Sequence, residues 1–312
     1  MSHFEFTGAE RPIGAGKTVR QIRTLVDLPD TRTDLTHPEG VRNVKAGEVG
    51  GWIESKSVVD EFGNLRPRLG GTSWVADEAC VYGQARLEDD ARIEDNASIY
   101  SNAVMSGQTR VRDHARISGH ARILGRATVD NHSMTFDDAV VEDDSHITDS
   151  AVVCQNSHVA ESARIGGNSR IRGSSTVTGG CSVLGLATIE GNAVLKAETI
   201  ICGTFAIGGE ALIESSNHML VIHPIGPATM FATLFYRTAS GLGEVAHRFE
   251  QPWLGSLSDF RVEATNFLAR LGVADPRRSL WRAQYDALDA LATLAERNWQ
   301  SSVASDRLKT SS

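Results

Sequence analysis

An aliphatic side chain returns at every sixth position of this chain, from Val75 to Ile213, with almost no slippage. A small residue, most often Ala, stands two positions before each member of this series. The series consists of Val75, Val81, Leu87, Ile93, Ile99, Met105, Val111, Ile117, Ile123, Val129, Thr135, Val141, Ile147, Val153, Val159, Ile165, Ile171, Val177, Val183, Ile189, Leu195, Ile201, Ile207 and Ile213. A period of six fits neither an amphipathic helix nor a hairpin meander, but it is typical of parallel β-helices.

Side-chain alternation explains this pattern. In a short strand, the small residue and the aliphatic residue two positions later point to the same side, which we expect to be the core. The two remaining positions of each hexad turn a corner, and they are rich in Gly, Asp and Asn, which tolerate left-handed backbone. Three hexads close one triangular coil, so residues eighteen apart stack and the series predicts about eight coils.

The repeat resembles the left-handed β-helix of the bacterial hexapeptide-repeat transferase superfamily. The left hand is what the resemblance implies, because the general rule for parallel crossovers predicts the right hand. We therefore expect a mainly β fold in three parts: a β-rich cap over residues 1–72, a left-handed parallel β-helix over 73–217, and an α+β domain with two helices and a frayed end over 218–312. Caps are expected because the open end of a β-helix leaves strand edges unpaired.

The charge balance limits the partners of the chain. The formal net charge is −8, whereas general nucleic-acid binders are usually basic.

The N-terminus lacks the basic start and apolar run of a signal peptide, and no apolar run is long enough to span a membrane. Cys80 and Cys154 share a face about four coils apart, too far to bridge. We expect a cytoplasmic protein with reduced thiols.

Motifs on both sides of the hexads narrow the resemblance. Gly50-Gly51-Trp52-Ile53-Glu54, with Trp74-Val75 opening the hexads, resembles the YdcK-type hexapeptide-repeat proteins of enterobacteria, phages and prophages. The tail adds Thr233 to Thr238 and Gly255 to Phe260, which look like phage-encoded members. The resemblance implies the β-helix fold and an acyltransferase activity with acetyl-CoA as donor. It brings no established catalytic residues.

An acyltransferase needs a general base, most often His. His114 and His132 occupy the same corner column one coil apart, so they are the candidate catalytic residues; His120 lies on a neighbouring corner. The alternative is that these residues are exposed polar side chains without a chemical role. Stacked His114 and His132 could instead bind a metal with a third ligand from another subunit. Because the three-His spacing of hexapeptide carbonic anhydrases is not reproduced, we expect no metal site.

Outward-facing arginines are interleaved with acidic residues on all three faces, and we expect solvated charge ladders rather than a basic stripe for phosphate or nucleic acid. These arginines are Arg86, Arg92, Arg110, Arg116, Arg122, Arg164, Arg170 and Arg172.

A less polar column lies on the second side of the prism, at Tyr82, Tyr100, Met134, Phe136, Val152 and Cys154. An exposed apolar surface of this extent often marks a subunit interface, and it predicts a homo-oligomer. The resemblance favours a trimer. Scattered surface apolar residues are the alternative interpretation.

Two functions remain open from the sequence. One is a scaffold or binding protein, phage- or prophage-related by the resemblance, that acts as a homo-oligomer on a macromolecular or small-ligand partner. The C-terminal domain is then a further surface for a protein partner. The other is a coenzyme A-dependent acyltransferase, which rests on superfamily membership, and fold alone does not decide function. The hexads run without the inserted loop that many hexapeptide acyltransferases use for their acceptor site, which favours the first.

Overall fold

The hexads fold into the coils of a left-handed parallel β-helix, as the sequence predicts. The structure is a computed structural model that describes residues 2–14, 16–32, 43–60, 62–196, 198–222, 225–227 and 233–310, with side chains as far as residue 301. The chain forms two compact units, residues 1–172 and 173–312. The described coil strands number 24, three to a coil, which gives about eight coils.

Five strands precede the hexads among the described residues of the first unit. They are β1 (Phe4–Gly14), β2 (Lys17–Thr24), β3 (Val49–Ile53), β4 (Ser57–Val59) and β5 (Leu65–Pro67). β1, β2 and β3 pair antiparallel in that order, and β3 then pairs in parallel with the coil strand Cys80–Val81. β4 and β5 form a separate hairpin. The N-terminal segment therefore extends one sheet of the β-helix and adds a hairpin beside it.

Seventeen coil strands belong to the first unit. They are β6 (Trp74–Val75), β7 (Cys80–Val81), β8 (Arg86–Leu87), β9 (Arg92–Ile93), β10 (Ser98–Ile99), β11 (Val104–Met105), β12 (Arg110–Val111), β13 (Arg116–Ile117), β14 (Arg122–Ile123), β15 (Thr128–Val129), β16 (Met134–Thr135), β17 (Val140–Val141), β18 (His146–Ile147), β19 (Val152–Val153), β20 (His158–Val159), β21 (Arg164–Ile165) and β22 (Arg170–Ile171).

Three faces result from the topology of these strands. The tyrosine face contains β7, β10, β13, β16, β19 and β22; the groove face contains β8, β11, β14, β17 and β20; the arginine face contains β6, β9, β12, β15, β18 and β21. Neighbouring strands of a face are parallel, and the register pairs residues eighteen apart, as in Ile99 with Ile117. The inward hexad residues are fully buried, including Thr135, the single non-aliphatic member.

The corners contain a second ladder, made by acidic side chains. Asp77, Asp95 and Asp113 adopt positive φ angles of 53°, 55° and 59°. Each carboxylate accepts a hydrogen bond from the backbone N–H of the residue eighteen positions later, at 3.3 Å for Asp77 and 3.1 Å for Asp95. Asp tolerates left-handed backbone better than most residues, and the ladder adds a hydrogen bond to each corner.

Close approach explains the glycine pair of the Gly-Gly-Trp-Ile-Glu motif. A Cβ atom on Gly50 would lie 2.4 Å from the Trp74 ring, and one on Gly51 would lie 2.6 Å from the carbonyl oxygen of Ala79. Glu54 of the same motif accepts a hydrogen bond of 2.6 Å from the backbone N–H of Gly83, at the first corner after β7. The motif therefore joins the N-terminal strands to the first coil.

The second unit continues the hexads and then changes architecture. Its coil strands are β23 (Thr176–Val177), β24 (Ser182–Gly185), β25 (Thr188–Ile189), β26 (Val194–Leu195), β27 (Ile200–Gly203), β28 (Ala206–Ile207) and β29 (Leu212–Ile213). A four-stranded antiparallel sheet follows, with β30 (Met219–Ile222), β31 (Thr233–Arg237), β32 (Gly243–Arg248) and β33 (Pro252–Ser256). The helices are α1 (Leu257–Arg270) and α2 (Pro276–Thr310).

The sheet and the two helices enclose an aromatic core that includes Phe235, Phe260, Tyr285 and Trp299. Ser256 is the N-cap of α1, since its hydroxyl accepts a hydrogen bond of 3.1 Å from the backbone N–H of Asp259. α2 continues past Trp299, where the sequence pattern ends its apolar stripe. The predicted strand from Met230 to Tyr236 begins outside the described residues, and its described part is in β31. The predicted frayed end remains a prediction.

Candidate functional site

A groove lies between the β4–β5 hairpin and the groove face of the first unit. Its volume is 720 Å³. Coil residues form the floor and one side, and the hairpin forms the other. The lining residues are Val59, Asp60, Phe62, Arg66, Gln84, Arg86, Glu88, Asn102, Val104, Ser106, His120, Arg122 and Leu124.

Hydrogen bonds fix the hairpin beside the coils. The side-chain oxygen of Gln84 accepts the backbone N–H of Val59 at 3.0 Å. Asp60 organises the turn, because its carboxylate accepts Arg66 Nε at 2.9 Å and the backbone N–H of Asn64 at 2.8 Å. The hydrogen bond from Arg66 is the main reason why the pKa of Asp60 falls to about 2. Asp60 is therefore ionised near neutral pH, and its hydrogen bonds have a structural role in the hairpin.

Among the described residues that line the groove, guanidinium groups outnumber carboxylates. Arg66 is paired with Asp60, and Arg86 Nε lies 2.8 Å from Glu88 Oε1. Arg122 also lines the groove and is exposed, but no carboxylate of the described residues lies within 4.0 Å of its guanidinium nitrogens. Val104 stands between the two coil arginines, since it is the register partner of both Arg86 and Arg122. One unpaired positive charge thus lies beside an apolar floor.

A histidine with ordered neighbours lies at the corner side of the groove. His120 Nδ1 is 3.3 Å from Asp138 Oδ1, and His120 Nε2 is 3.1 Å from Asn102 Nδ2. Asn102 and Asp138 are the residues one coil before and one coil after His120. An imidazole held at both nitrogens by a carboxylate and an amide has a defined orientation, which general acid–base chemistry requires.

The two histidines predicted as catalytic candidates lie elsewhere. His114 and His132 stack on a corner with ring centroids 4.9 Å apart and an angle of 29° between the planes. Both side chains are exposed, and neither lines the groove. Over the part of the chain that the structure describes, no group of three His, Cys, Asp or Glu side chains is arranged to hold a metal ion. The structure therefore brings the two imidazoles together, and no third ligand lies beside them among the described residues.

The predicted apolar column lies along the tyrosine face. The rings of Tyr82 and Tyr100 stack with centroids 5.0 Å apart and an angle of 3°. Met134 lies two coils after the strand that precedes Tyr100, and it is the register partner of Val152 in the next coil. Phe136 directly follows the inward-facing Thr135 and faces outward. Met134 is 37% exposed, whereas the other members are partly buried. Burial raises the pKa of Tyr82, whose ring also lies 5.9 Å from Lys17 Nζ.

Two of the eight arginines predicted to form solvated ladders are buried, so the prediction was wrong for them. Arg92 is 0% and Arg110 is 8% exposed, because the segment from Pro29 to Arg32 covers this part of the arginine face. Arg92 donates to the carbonyl oxygen of Pro29 at 2.9 Å, and Arg110 forms ion pairs with Asp30 and Asp90. These contacts hold the segment from Pro29 to Arg32 against the arginine face of the first unit.

Sequence reasoning missed the groove. The hexad register assigns Gln84, Asn102, His120 and Asp138 to one corner column, so the neighbours of His120 could have been read from the eighteen-residue spacing. The hairpin from Ser57 to Pro67 has no such period, and its position over the groove face left no signal in the sequence.

Comparison of the chain with models of known protein families and with curated protein sequences finds no match. Among the described residues, no helix is both long enough and apolar enough to cross a membrane.

Proposed function

We propose that this protein is a ligand-binding scaffold, a homo-oligomeric β-helix whose groove face binds a small anionic molecule. The observation that carries the proposal is Arg122, an exposed guanidinium in the groove with no carboxylate partner among the described residues. A guanidinium presents a planar fork of donors that matches carboxylate and phosphate groups. The groove volume of 720 Å³ falls within the range of about 300–1,000 Å³ that is usual for small-ligand sites.

A screen of small anions by thermal unfolding tests this function. A binding anion should raise the melting temperature of the wild-type chain, because a ligand that binds the folded state stabilises it by mass action. Arg122→Gln should abolish the shift. Arg164→Gln is the matched control, since Arg164 is also an exposed outward residue of a coil strand but lies on the arginine face, away from the groove. An anion that stabilises wild type and Arg122→Gln equally, or a screen without any stabilising anion, would contradict the proposal.

A coenzyme A-dependent acyltransferase is the second candidate function, and His120 favours it. In this reaction His120 would remove the proton from an acceptor amine or hydroxyl, Asp138 would orient the imidazole, and acetyl-CoA would supply the acyl group. His120, which lines the groove, would then take the catalytic role that the sequence predicts for His114 and His132.

Thiol release from acetyl-CoA in the presence of amine and hydroxyl acceptors tests the enzyme. His120→Gln should remove turnover, and Asp138→Asn should reduce it, whereas His132→Gln should leave it unchanged. Absence of turnover by the wild-type chain would reject the acyltransferase and leave the binding function intact.

The family and the assembly are part of the proposal. The Gly-Gly-Trp-Ile-Glu motif supports YdcK-type membership, and the motifs of the C-terminal tail support a phage-related member. The free cysteines support a cytoplasmic location. The apolar column of the tyrosine face supports a homo-oligomer, with a trimer favoured by that resemblance. The exposed apolar residues Val262, Leu280, Leu291 and Leu294 on α1 and α2 support a protein partner at the C-terminal domain.

A further inference from the structure

The charged side chains that line the groove indicate the charge of its ligand. The described residues of the groove lining include three guanidinium groups and two carboxylates. Arg66 with Asp60 and Arg86 with Glu88 form two ion pairs at 2.9 Å and 2.8 Å. Among the described lining residues, Arg122 is the guanidinium left without a carboxylate. A ligand with one negative charge would balance the charges of these described side chains.

The remaining carboxylates disfavour a doubly charged ligand. A phosphate dianion on Arg122 would have a second charge without a partner, in a groove that already contains Asp60 and Glu88. Like charges repel, and the chain as a whole has a net charge of −8. A guanidinium binds both carboxylate and phosphate well, and the charges in this groove favour the carboxylate over a phosphate dianion.

The groove also offers apolar surface on both sides. Val104 and Leu124 are partly buried residues of the coil strands and corners, and they form an apolar floor next to Arg122. Phe62 lines the opposite side from the tip of the hairpin and is 79% exposed. Exposed aromatic side chains at the edge of a groove are suited to covering an apolar ligand group.

We infer that the ligand is a monocarboxylate with an apolar body, bound with its carboxylate on Arg122 and its body between Phe62 and the floor formed by Val104 and Leu124. This inference rests on the proposed function, because it names the ligand class of the same groove. The carboxylate accepts two hydrogen bonds from the guanidinium, and the body excludes water from them. Phe62 determines specificity for the body, and Arg122 determines specificity for the charge.

Isothermal titration calorimetry on the full-length protein tests the ligand class with three probes of similar shape: phenylacetate, phenyl phosphate and phenylacetamide. At pH 7.5 phenyl phosphate is mainly a dianion. We expect phenylacetate to bind at least about tenfold more tightly than phenyl phosphate and phenylacetamide, since a charge-assisted hydrogen bond contributes on the order of a tenfold change or more. Arg122→Gln should weaken phenylacetate by a similar factor, and Arg164→Gln should not.

The hairpin supplies a second control. Phe62→Ala should weaken phenylacetate several-fold but leave acetate unchanged, whereas Leu65→Ala, an exposed hairpin residue outside the groove lining, should change neither. If phenyl phosphate binds as tightly as phenylacetate and depends on Arg122, the monocarboxylate class is wrong while the anion-binding function stands. If no probe binds, the monocarboxylate class is also wrong, and the wider anion screen decides the function separately. If phenylacetate binds without dependence on Arg122, both are wrong.

Discussion

The Oδ2 atom of Asp113 accepts a hydrogen bond of 3.0 Å from the backbone N–H of Asn131, the residue one coil later. Asp113 itself donates its N–H to Asp95 at 3.1 Å, so consecutive coils are connected at this corner by a chain of carboxylates. The backbone of Asp113 is left-handed, with φ of 59°. One residue type thus satisfies both the conformation of the corner and the N–H of the next coil.

Asp113→Ala should destabilise the first unit by about 1–3 kcal/mol, because it removes the acceptor and places a β-carbon without a polar group in left-handed backbone. Asp113→Asn should be close to neutral, since its amide oxygen still accepts and Asn tolerates positive φ. Urea unfolding followed by circular dichroism gives the comparison. Ser150→Ala, at an exposed corner position, is the control. Equal midpoints for the Ala and Asn variants would show that the ladder contributes nothing.

A second prediction concerns Thr135 in the core of the coils. It is fully buried at a hexad position, and its hydroxyl has no hydrogen-bond partner among the described residues. Thr135→Val replaces the hydroxyl by a methyl of similar size, so we expect the first unit to gain about 1 kcal/mol. The matched control is Thr128→Val, because the Thr128 hydroxyl accepts a hydrogen bond of 3.2 Å from Arg32 Nη1. That variant should lose stability in the same urea experiment, and a loss in both would show that the Thr135 hydroxyl is satisfied.

The contrast between these residues shows how far the sequence could predict the structure. The inward position of Thr135 and the corner position of Asp113 follow from a period of six, which local side-chain alternation sets. The burial of Arg92 and Arg110 and the groove beside Arg122 depend instead on the paths of residues 29–32 and 57–67, which have no period. The coil register predicts which residues are neighbours on a face, but not which non-repeating segment covers them.

A buried histidine predicts the acid sensitivity of the second unit. His247 is 5% exposed; its Nδ1 lies 2.7 Å from Thr233 Oγ1, and its Nε2 has no partner among the described residues. Burial lowers the pKa of His247 from 6.5 to about 4. Between pH 6.5 and about 4, the unfolded chain therefore binds a proton at His247 that the folded chain does not bind. This difference lowers the free energy of unfolding as the pH falls through this window.

The loss should reach at most about 3.5 kcal/mol near pH 4 and then level off, because each pKa unit corresponds to about 1.4 kcal/mol. Urea titrations read by hydrogen–deuterium exchange of peptides from β32 give the stability at each pH. His247→Gln should flatten the dependence between pH 6.5 and 4, and the exposed His132→Gln should leave it unchanged. An unchanged slope in His247→Gln would mean that His247 does not control this transition.

The tyrosine face predicts the assembly state. If the column from Tyr82 to Cys154 is the subunit interface, a carboxylate on it would be desolvated on association without a partner, which costs more than the contact gains. The double variant Tyr100→Glu with Phe136→Glu should therefore sediment with the mass of a single chain, whereas the wild type should sediment as an oligomer. The double variant Asn156→Glu with Asn168→Glu adds the same charge at exposed corner positions and should keep the wild-type mass. A wild-type mass for both variants would place any interface outside the tyrosine face.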